Sequence, residues 1–105
     1  MSPPITRNDR KFMQQGAAEA AAMLRTLGHD QRLLVLCLLI GHGELTVGQL
    51  LEQVELGQSA LSQHLARMRA DGLVACRREG QAMHYRIADP RVETLVAALK
   101  SVFCP

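Results

Sequence analysis

The distribution of hydrophobic and polar positions along the chain predicts its first three helices. The alanine-rich segment Arg10–Leu27 predicts the first helix, because alanine has the highest intrinsic helix propensity. The second helix begins at Asp30 and is apolar on nearly every side as far as Leu39, which is typical of a buried central helix. The third begins at Thr46, where the pattern T-x-x-Q matches a capping box, and ends near Val54.

The second half of the chain combines two further helices with one hairpin. Glu55–Gly57 is a tight connection, and the fourth helix spans Gln58–Ala70. The period of the apolar positions then changes from 3.6 to 2, so Val74–Arg78 and Met83–Ile87 are predicted to be paired strands. Asp89-Pro90 begins the last helix, since aspartate caps a helix and proline suits its first position.

This order of elements predicts a winged helix-turn-helix. The expected fold class is mostly α (α+β), with five helices and one β-hairpin wing. We expect residues 1–9, which hold two prolines and show no periodicity, to be a flexible tail. Residues 10–105 are then one folded domain, as a total length of 105 residues suggests.

Composition excludes several classes of protein. The core must be aliphatic, because the chain has only three aromatic residues. The longest apolar run, Leu33–Ile40, is far shorter than the roughly 20 residues that span a bilayer. The three cysteines form no C-x-x-C pair, which argues against a zinc finger or a disulfide scaffold. We therefore expect a cytoplasmic protein with free thiols, without a membrane segment or a cofactor, and not an enzyme, since no nucleophile–base set or phosphate loop is visible.

The net charge of +2 conceals two segments of opposite sign. Residues 44–57 contain three glutamates and no basic residue, which gives −3. Residues 58–86 contain five arginines against one aspartate and one glutamate, so that 5 − 2 gives +3. A basic helix followed by a basic hairpin is the charge distribution expected for a helix in a DNA groove with a wing on the phosphate backbone.

The fourth helix carries a face suited to DNA. Leu61, Leu65 and Met68 form its apolar stripe, while Ser59 and Gln63 lie on the opposite side. Small and hydrogen-bonding side chains allow a helix to approach base edges and phosphates in the major groove.

Several of these motifs together resemble the ArsR/SmtB family of bacterial winged-helix repressors. The resemblance rests on Gln58–Leu65 (QSALSQHL), Leu73-Val74, Arg77–Gln81 (RREGQ) and Tyr85, and it covers roughly residues 17–104. It implies a homodimer, built mainly from the first and last helices, that binds double-stranded operator DNA until an inducer releases it. Residues 10–105 would then serve both DNA binding and dimerisation.

The resemblance also assigns DNA contacts by position. The residues expected to face the major groove are Gln58, Ser59, Ser62, Gln63, His64 and Arg67. Those expected to serve the wing are Arg77, Arg78 and Gln81.

Many members of the family sense metals, but the usual ligand positions are not occupied by ligands here. Where relatives have an ELCVC-type motif, this chain has Glu44-Leu45-Thr46-Val47-Gly48. The last helix contains no histidine. We therefore expect no metal site, although a metal-sensing repressor remains an alternative.

The positions of two cysteines resemble a dithiol subgroup of the family that senses persulfides and oxidants. Cys37 lies in the second helix and Cys104 at the end of the last. The resemblance implies that reactive sulfur species or oxidants link the two through a disulfide or a longer sulfur bridge, and that DNA is then released. Position alone also allows Cys37 to be a small buried hydrophobe, and it leaves Cys76 without a role. An anti-silencing transcriptional activator of the same fold is a further alternative.

Overall fold

The computed structural model of the protein describes residues 4–104 as helices packed around a small antiparallel sheet. Its α-helices are α1 (Arg7–Lys11), α2 (Ala17–Leu27), α3 (Asp30–His42), α4 (Val47–Leu51), α5 (Gln58–Ala70) and α6 (Pro90–Phe103). Its strands are β1 (Glu44–Thr46), β2 (Val74–Glu79) and β3 (Ala82–Ile87). A π-helical turn, Phe12–Gly16, joins α1 to α2 into one helical run, so the predicted winged helix-turn-helix with five helices is confirmed.

The first helix begins three residues earlier than predicted. Thr6 caps it at Arg7: its hydroxyl accepts a hydrogen bond from the Asp9 N–H (3.1 Å), and the Asp9 carboxylate accepts one from the Thr6 N–H (3.0 Å). Residues 7–9 of the predicted flexible tail are therefore helical, while Met1–Pro3 lie outside the described residues.

The helix-turn-helix consists of a short α4 and a longer α5. The predicted capping box at Thr46 is present, with hydrogen bonds to and from Gln49 of 3.2 and 2.9 Å. However, α4 ends at Leu51 rather than near Val54, so residues 52–57 form a longer connection than the predicted three-residue turn. Helices α4 and α5 are in contact, and Leu50 of α4 and Leu61 of α5 are fully buried in the common core.

The wing has three strands rather than the predicted two. The hairpin of β2 and β3 turns at Gly80, whose φ of +62° suits glycine. The third strand, β1, pairs antiparallel with β3, which places Glu44 opposite Arg86, and the strand order is β1-β3-β2. The sequence pattern missed β1, because its three residues also form the entry to α4.

The core is aliphatic, as predicted. It draws on α2, α3, α5, the base of the hairpin and α6, and its completely buried members include Leu36, Leu39, Leu65, Met68 and Val92. None of the helices in residues 4–104 is long and apolar enough to cross a membrane.

Candidate nucleic-acid interface

The outer face of α5 presents four exposed hydrogen-bonding side chains. Burial of Leu61, Leu65 and Met68 fixes the rotation of the helix, and the opposite side faces solvent. Exposed on that side are the predicted groove residues Gln58, Ser59, Ser62 and Gln63. This face contains no acidic residue, so it can approach a polyanion without repulsion.

His64 departs from this group, although it was predicted to face the groove. It is half-buried, and its ring packs on His29 with the ring centroids 4.6 Å apart. Burial and then the nearby positive charges of His29 and Arg32 lower the pKa of His64. The structure thus places His64 between α5 and the beginning of α3, at the margin of the exposed face.

Arg67 lies on α5 but is engaged within the chain. Its Nε donates to Asp71 Oδ2 at 3.2 Å. The same carboxylate oxygen accepts a hydrogen bond from the Thr26 hydroxyl of α2, also at 3.2 Å. These contacts connect the end of the candidate recognition helix to α2, a link between residues 45 positions apart that the sequence did not reveal.

In the wing, Arg77 is held by two carboxylates. Its guanidinium donates to Glu44 at 2.7 Å and to Glu79 at 2.7 Å. These hydrogen bonds lower the pKa of both glutamates and raise that of Arg77. Sequence reasoning missed Glu44 as a wing residue, because its proximity to Arg77 depends on β1 pairing with β3.

Arg78 and Gln81 lie at the exposed tip of the wing. Arg78 donates through Nε to the Gly80 carbonyl at 3.0 Å, which orients its guanidinium. Within residues 4–104, Arg78 has no carboxylate within 4 Å. Its positive charge is therefore available to a phosphate.

The three cysteines are free thiols in different surroundings. Cys37 is half-buried in α3 and packs against the core, whereas Cys104 is exposed at the C-terminal end of α6. The helices α3 and α6 are in direct contact. Cys76 is half-buried in β2 opposite Tyr85, whose pKa is raised mainly by burial.

Nowhere in residues 4–104 do three side chains of His, Cys, Asp or Glu come together in a group that could hold a metal ion.

Large apolar side chains are exposed on the first and last helices. Phe12 and Met13 of the π-helical turn are 56% and 65% exposed, and Val102 and Phe103 of α6 are 74% and 77% exposed. Leu24 of α2 is also exposed. Contiguous exposed apolar patches are typical of sites that contact another molecule, and these side chains are candidates for such a site.

Comparison with known proteins gives consistent matches. The bacterial regulatory protein arsR family matches residues 29–75. The HTH-type transcriptional regulator YgaV of Escherichia coli (strain K12) is 43% identical over 89% of this chain and 94% of its own. The transcriptional activator HlyU of Vibrio cholerae serotype O1 is 40% identical over 88% of this chain and 84% of its own. Among solved structures, the transcriptional repressor BigR from Xylella fastidiosa superposes with a TM-score of 0.84 at 40% identity, covering 91% of this chain and 97% of that one.

Proposed function

The chain belongs to the arsR family of bacterial regulatory proteins and is a transcriptional regulator, and we propose that it represses transcription as a homodimer. We propose further that the homodimer releases its operator DNA when Cys37 and Cys104 become linked. The main observation in support of DNA binding is the exposed face of α5, which has hydrogen-bonding side chains and no acidic residue. The regulatory part is supported by the placement of the two thiols on contacting helices.

In the proposed complex, α5 enters the major groove and the wing lies on the phosphate backbone. Gln58, Ser59, Ser62 and Gln63 supply contacts to base edges and phosphates. Arg78 and Gln81 supply wing contacts, while Arg77 must exchange its carboxylate partners for phosphates before it contributes fully. Arg67 must likewise exchange Asp71, and His64 contributes from the edge of the interface.

The proposed dimer buries the exposed apolar surface of the first helical run and α6. Phe103 continues the stripe that Val92 and Val96 begin, at a point where residues 4–104 of the single chain leave it exposed. A second copy of the chain supplies that cover and places two recognition helices on one DNA duplex. Cys104 follows Phe103 directly, so the thiol lies beside this proposed interface.

The proposed inducer is a polysulfide or an oxidant, and Cys104 is the more accessible first nucleophile. Its thiolate attacks a sulfur atom of a polysulfide and displaces a shorter sulfide, which leaves a persulfide on the protein. The Cys37 thiolate then attacks the inner sulfur and displaces hydrosulfide, so that a disulfide forms. The two thiols lose two electrons and the polysulfide accepts them. Retention of additional sulfur atoms gives a longer bridge, which relaxes the Cα separation of 4.4–6.8 Å that a direct disulfide needs.

A link between these cysteines would act on both the proposed dimer interface and the wing. Helix α3 packs against α6 and also against β1 and β3 of the wing. An effector shifts a two-state protein only by stabilising one state more than the other. A bridge that fits only the arrangement unable to bind DNA meets this requirement.

The test measures operator affinity before and after polysulfide treatment, using a DNA fragment enriched from a random library by the reduced protein. Wild type and the matched control Cys76→Ser should lose affinity, whereas Cys37→Ser and Cys104→Ser should retain it. Mass spectrometry after polysulfide and after peroxide identifies the bridge. An equal response in all four proteins would overturn the dithiol mechanism, and zinc release accompanied by loss of DNA binding would support metal sensing instead.

A second candidate, transcriptional activation, is favoured by the name of the 40% identical relative HlyU. In this alternative, the chain is an anti-silencing activator that displaces another DNA-bound protein rather than blocking transcription itself. A reporter gene behind the enriched operator separates the two functions. Expression rises on deletion of a repressor and falls on deletion of an activator.

A further inference from the structure

A cleft of about 490 Å³ lies where α2, α3, α5 and α6 meet, on the side of α5 that carries Arg67. Four arginines line it, one from each of these helices: Arg25, Arg32, Arg67 and Arg91. The cleft also includes the Thr26 hydroxyl and the carboxylates of Glu19 and Asp71. Its volume lies in the range of small-molecule sites.

Two of the four arginines have carboxylate partners. Arg67 pairs with Asp71 at 3.2 Å. Arg91 pairs with Asp89 at 2.7 Å and lies 3.6 Å from Glu19. In the part of the chain from residue 4 to residue 104, neither Arg25 nor Arg32 has a carboxylate within 4 Å. Two positive charges at this cleft are therefore uncompensated.

Arg32 is unusual in a second respect. Its Nε is buried and has no hydrogen-bond partner among the described residues, although the atom is an obligatory donor. A buried donor without an acceptor is costly. The uncompensated charge of Arg32 also acts on its surroundings, because it contributes, after burial and His29, to lowering the pKa of His64.

We propose that this cleft binds a small oxyanion with two negative charges, of the phosphate, sulfate or dicarboxylate class. Such an ion would neutralise the charges of Arg25 and Arg32, and a shift of the Arg32 side chain would let it reach the buried Nε. Guanidinium groups suit this task, since their planar array of donors matches the oxygens of phosphates and carboxylates. The ion would also share Arg67 with Asp71. It would then contact α2 through Arg25 and α5 through Arg67.

This proposal goes beyond the proposed function and is tested without DNA, although Arg67 serves in both. Calorimetry and thermal melting are measured with inorganic phosphate, sulfate and succinate, against chloride at equal ionic strength. Saturable heat and a rise in Tm are expected for at least one dianion and not for chloride. Arg25→Gln and Arg32→Gln should each weaken binding about tenfold or more, as expected for loss of a charged hydrogen bond.

Arg10→Gln is the matched control, because Arg10 is exposed on α1 outside the cleft and its loss removes the same charge. It should leave anion affinity unchanged. If Arg32→Gln fails to fold, the exposed Arg25 still carries the test. Equal Tm values in all salts, or equal losses in Arg10→Gln and Arg25→Gln, would overturn the proposal. A third outcome would assign the cleft to a DNA phosphate instead. In that case the wild type binds no free anion, and Arg25→Gln weakens DNA binding.

Discussion

Two adjacent arginines in the wing differ in the charge they can offer to DNA. Arg77 donates to Glu44 and Glu79, whereas Arg78 donates to a backbone carbonyl and keeps its positive charge uncompensated. The sequence pattern treats them alike, because both lie at the end of the first predicted strand, just before the turn. The difference between them arises from Glu44, which lies 33 positions away from Arg77.

We therefore expect Arg78→Ala to reduce DNA binding more than Arg77→Ala. Each phosphate contact contributes about 0.9 to the slope of log K against log salt concentration. Arg78→Ala should lower the slope by about 0.9, and Arg77→Ala by clearly less, since its charge is already balanced in the free protein. Fluorescence anisotropy over a series of salt concentrations measures both slopes. Equal slopes for the two variants would show that Arg77 leaves its carboxylates on binding.

Residue-scale predictions from the sequence were reliable for exposure and unreliable for partners. Four hydrogen-bonding side chains of α5 are exposed. The family resemblance indicated Gln58 and Ser62, whereas the helical period itself placed Ser59 and Gln63 opposite the buried stripe, because burial of that stripe fixes the rotation of the helix. It did not reveal that His64 packs on His29 or that Arg67 pairs with Asp71. The contact of His64 depends on how α3 meets α5, and periodicity within one helix holds no information about that packing.

At the scale of elements, local capping signals were the most dependable. The bounds of α5 were predicted correctly, as were the Thr46 capping box and the start of α6 after Asp89, whose carboxylate accepts a hydrogen bond from the Arg91 N–H at 2.9 Å. Strand β1 was missed, since a three-residue strand exists only through its pairing with β3. Capping residues lie within a few positions of each other and can be recognised in a single sequence. Strand pairing between residues about 40 positions apart, as between β1 and β3, cannot be recognised in this way.

Helix α5 begins with an incomplete cap. Gly57 is the N-cap of α5, its backbone is extended (φ −73°, ψ 165°), and no side chain caps the helix. A Cβ added at Gly57 meets no atom within 4 Å. A serine there would supply the missing acceptor without a steric clash.

Gly57→Ser should raise the free energy of unfolding by about 0.5 to 1 kcal/mol, from the cap and from the smaller entropy of the unfolded chain. Urea denaturation of the DNA-free protein measures the gain. The matched control is Gly72→Ser at the other end of α5, where φ is +78°. That variant should lose about 1 kcal/mol, because the left-handed conformation is unfavourable for serine. A gain in both variants would contradict the assigned role of the cap.

At the scale of the whole molecule, the single chain is extended rather than compact. Its radius of gyration is 16.2 Å, whereas about 13 Å is usual for a globular domain of this length. The N-terminal helical run accounts for part of this, since neither α1 nor the π-helical turn contains a buried residue. Elongation together with exposed Phe12 and Phe103 fits a chain that completes its structure by pairing with a second copy.

We expect Phe103→Asp to convert the proposed dimer to a monomer, because burying a carboxylate in an apolar interface is strongly unfavourable. Sedimentation velocity measures the change, and operator affinity should fall with it, since a monomer presents one recognition helix instead of two. Ser101→Asp is the matched control, on the opposite side of α6 and also exposed. A dimer that survives Phe103→Asp, or dissociates equally in both variants, would place the interface elsewhere.

The absence of buried side chains from Arg7 to Gly16 also bears on how the chain opens in time. A helical segment of about ten residues is marginal in water by itself. In an isolated chain, the amide protons of residues 7–16 therefore exchange with solvent at the rate of local fraying. The amide protons of the core helices exchange only after a rarer cooperative opening. Residues 7–16 can therefore unfold while the core, which includes α2, stays folded.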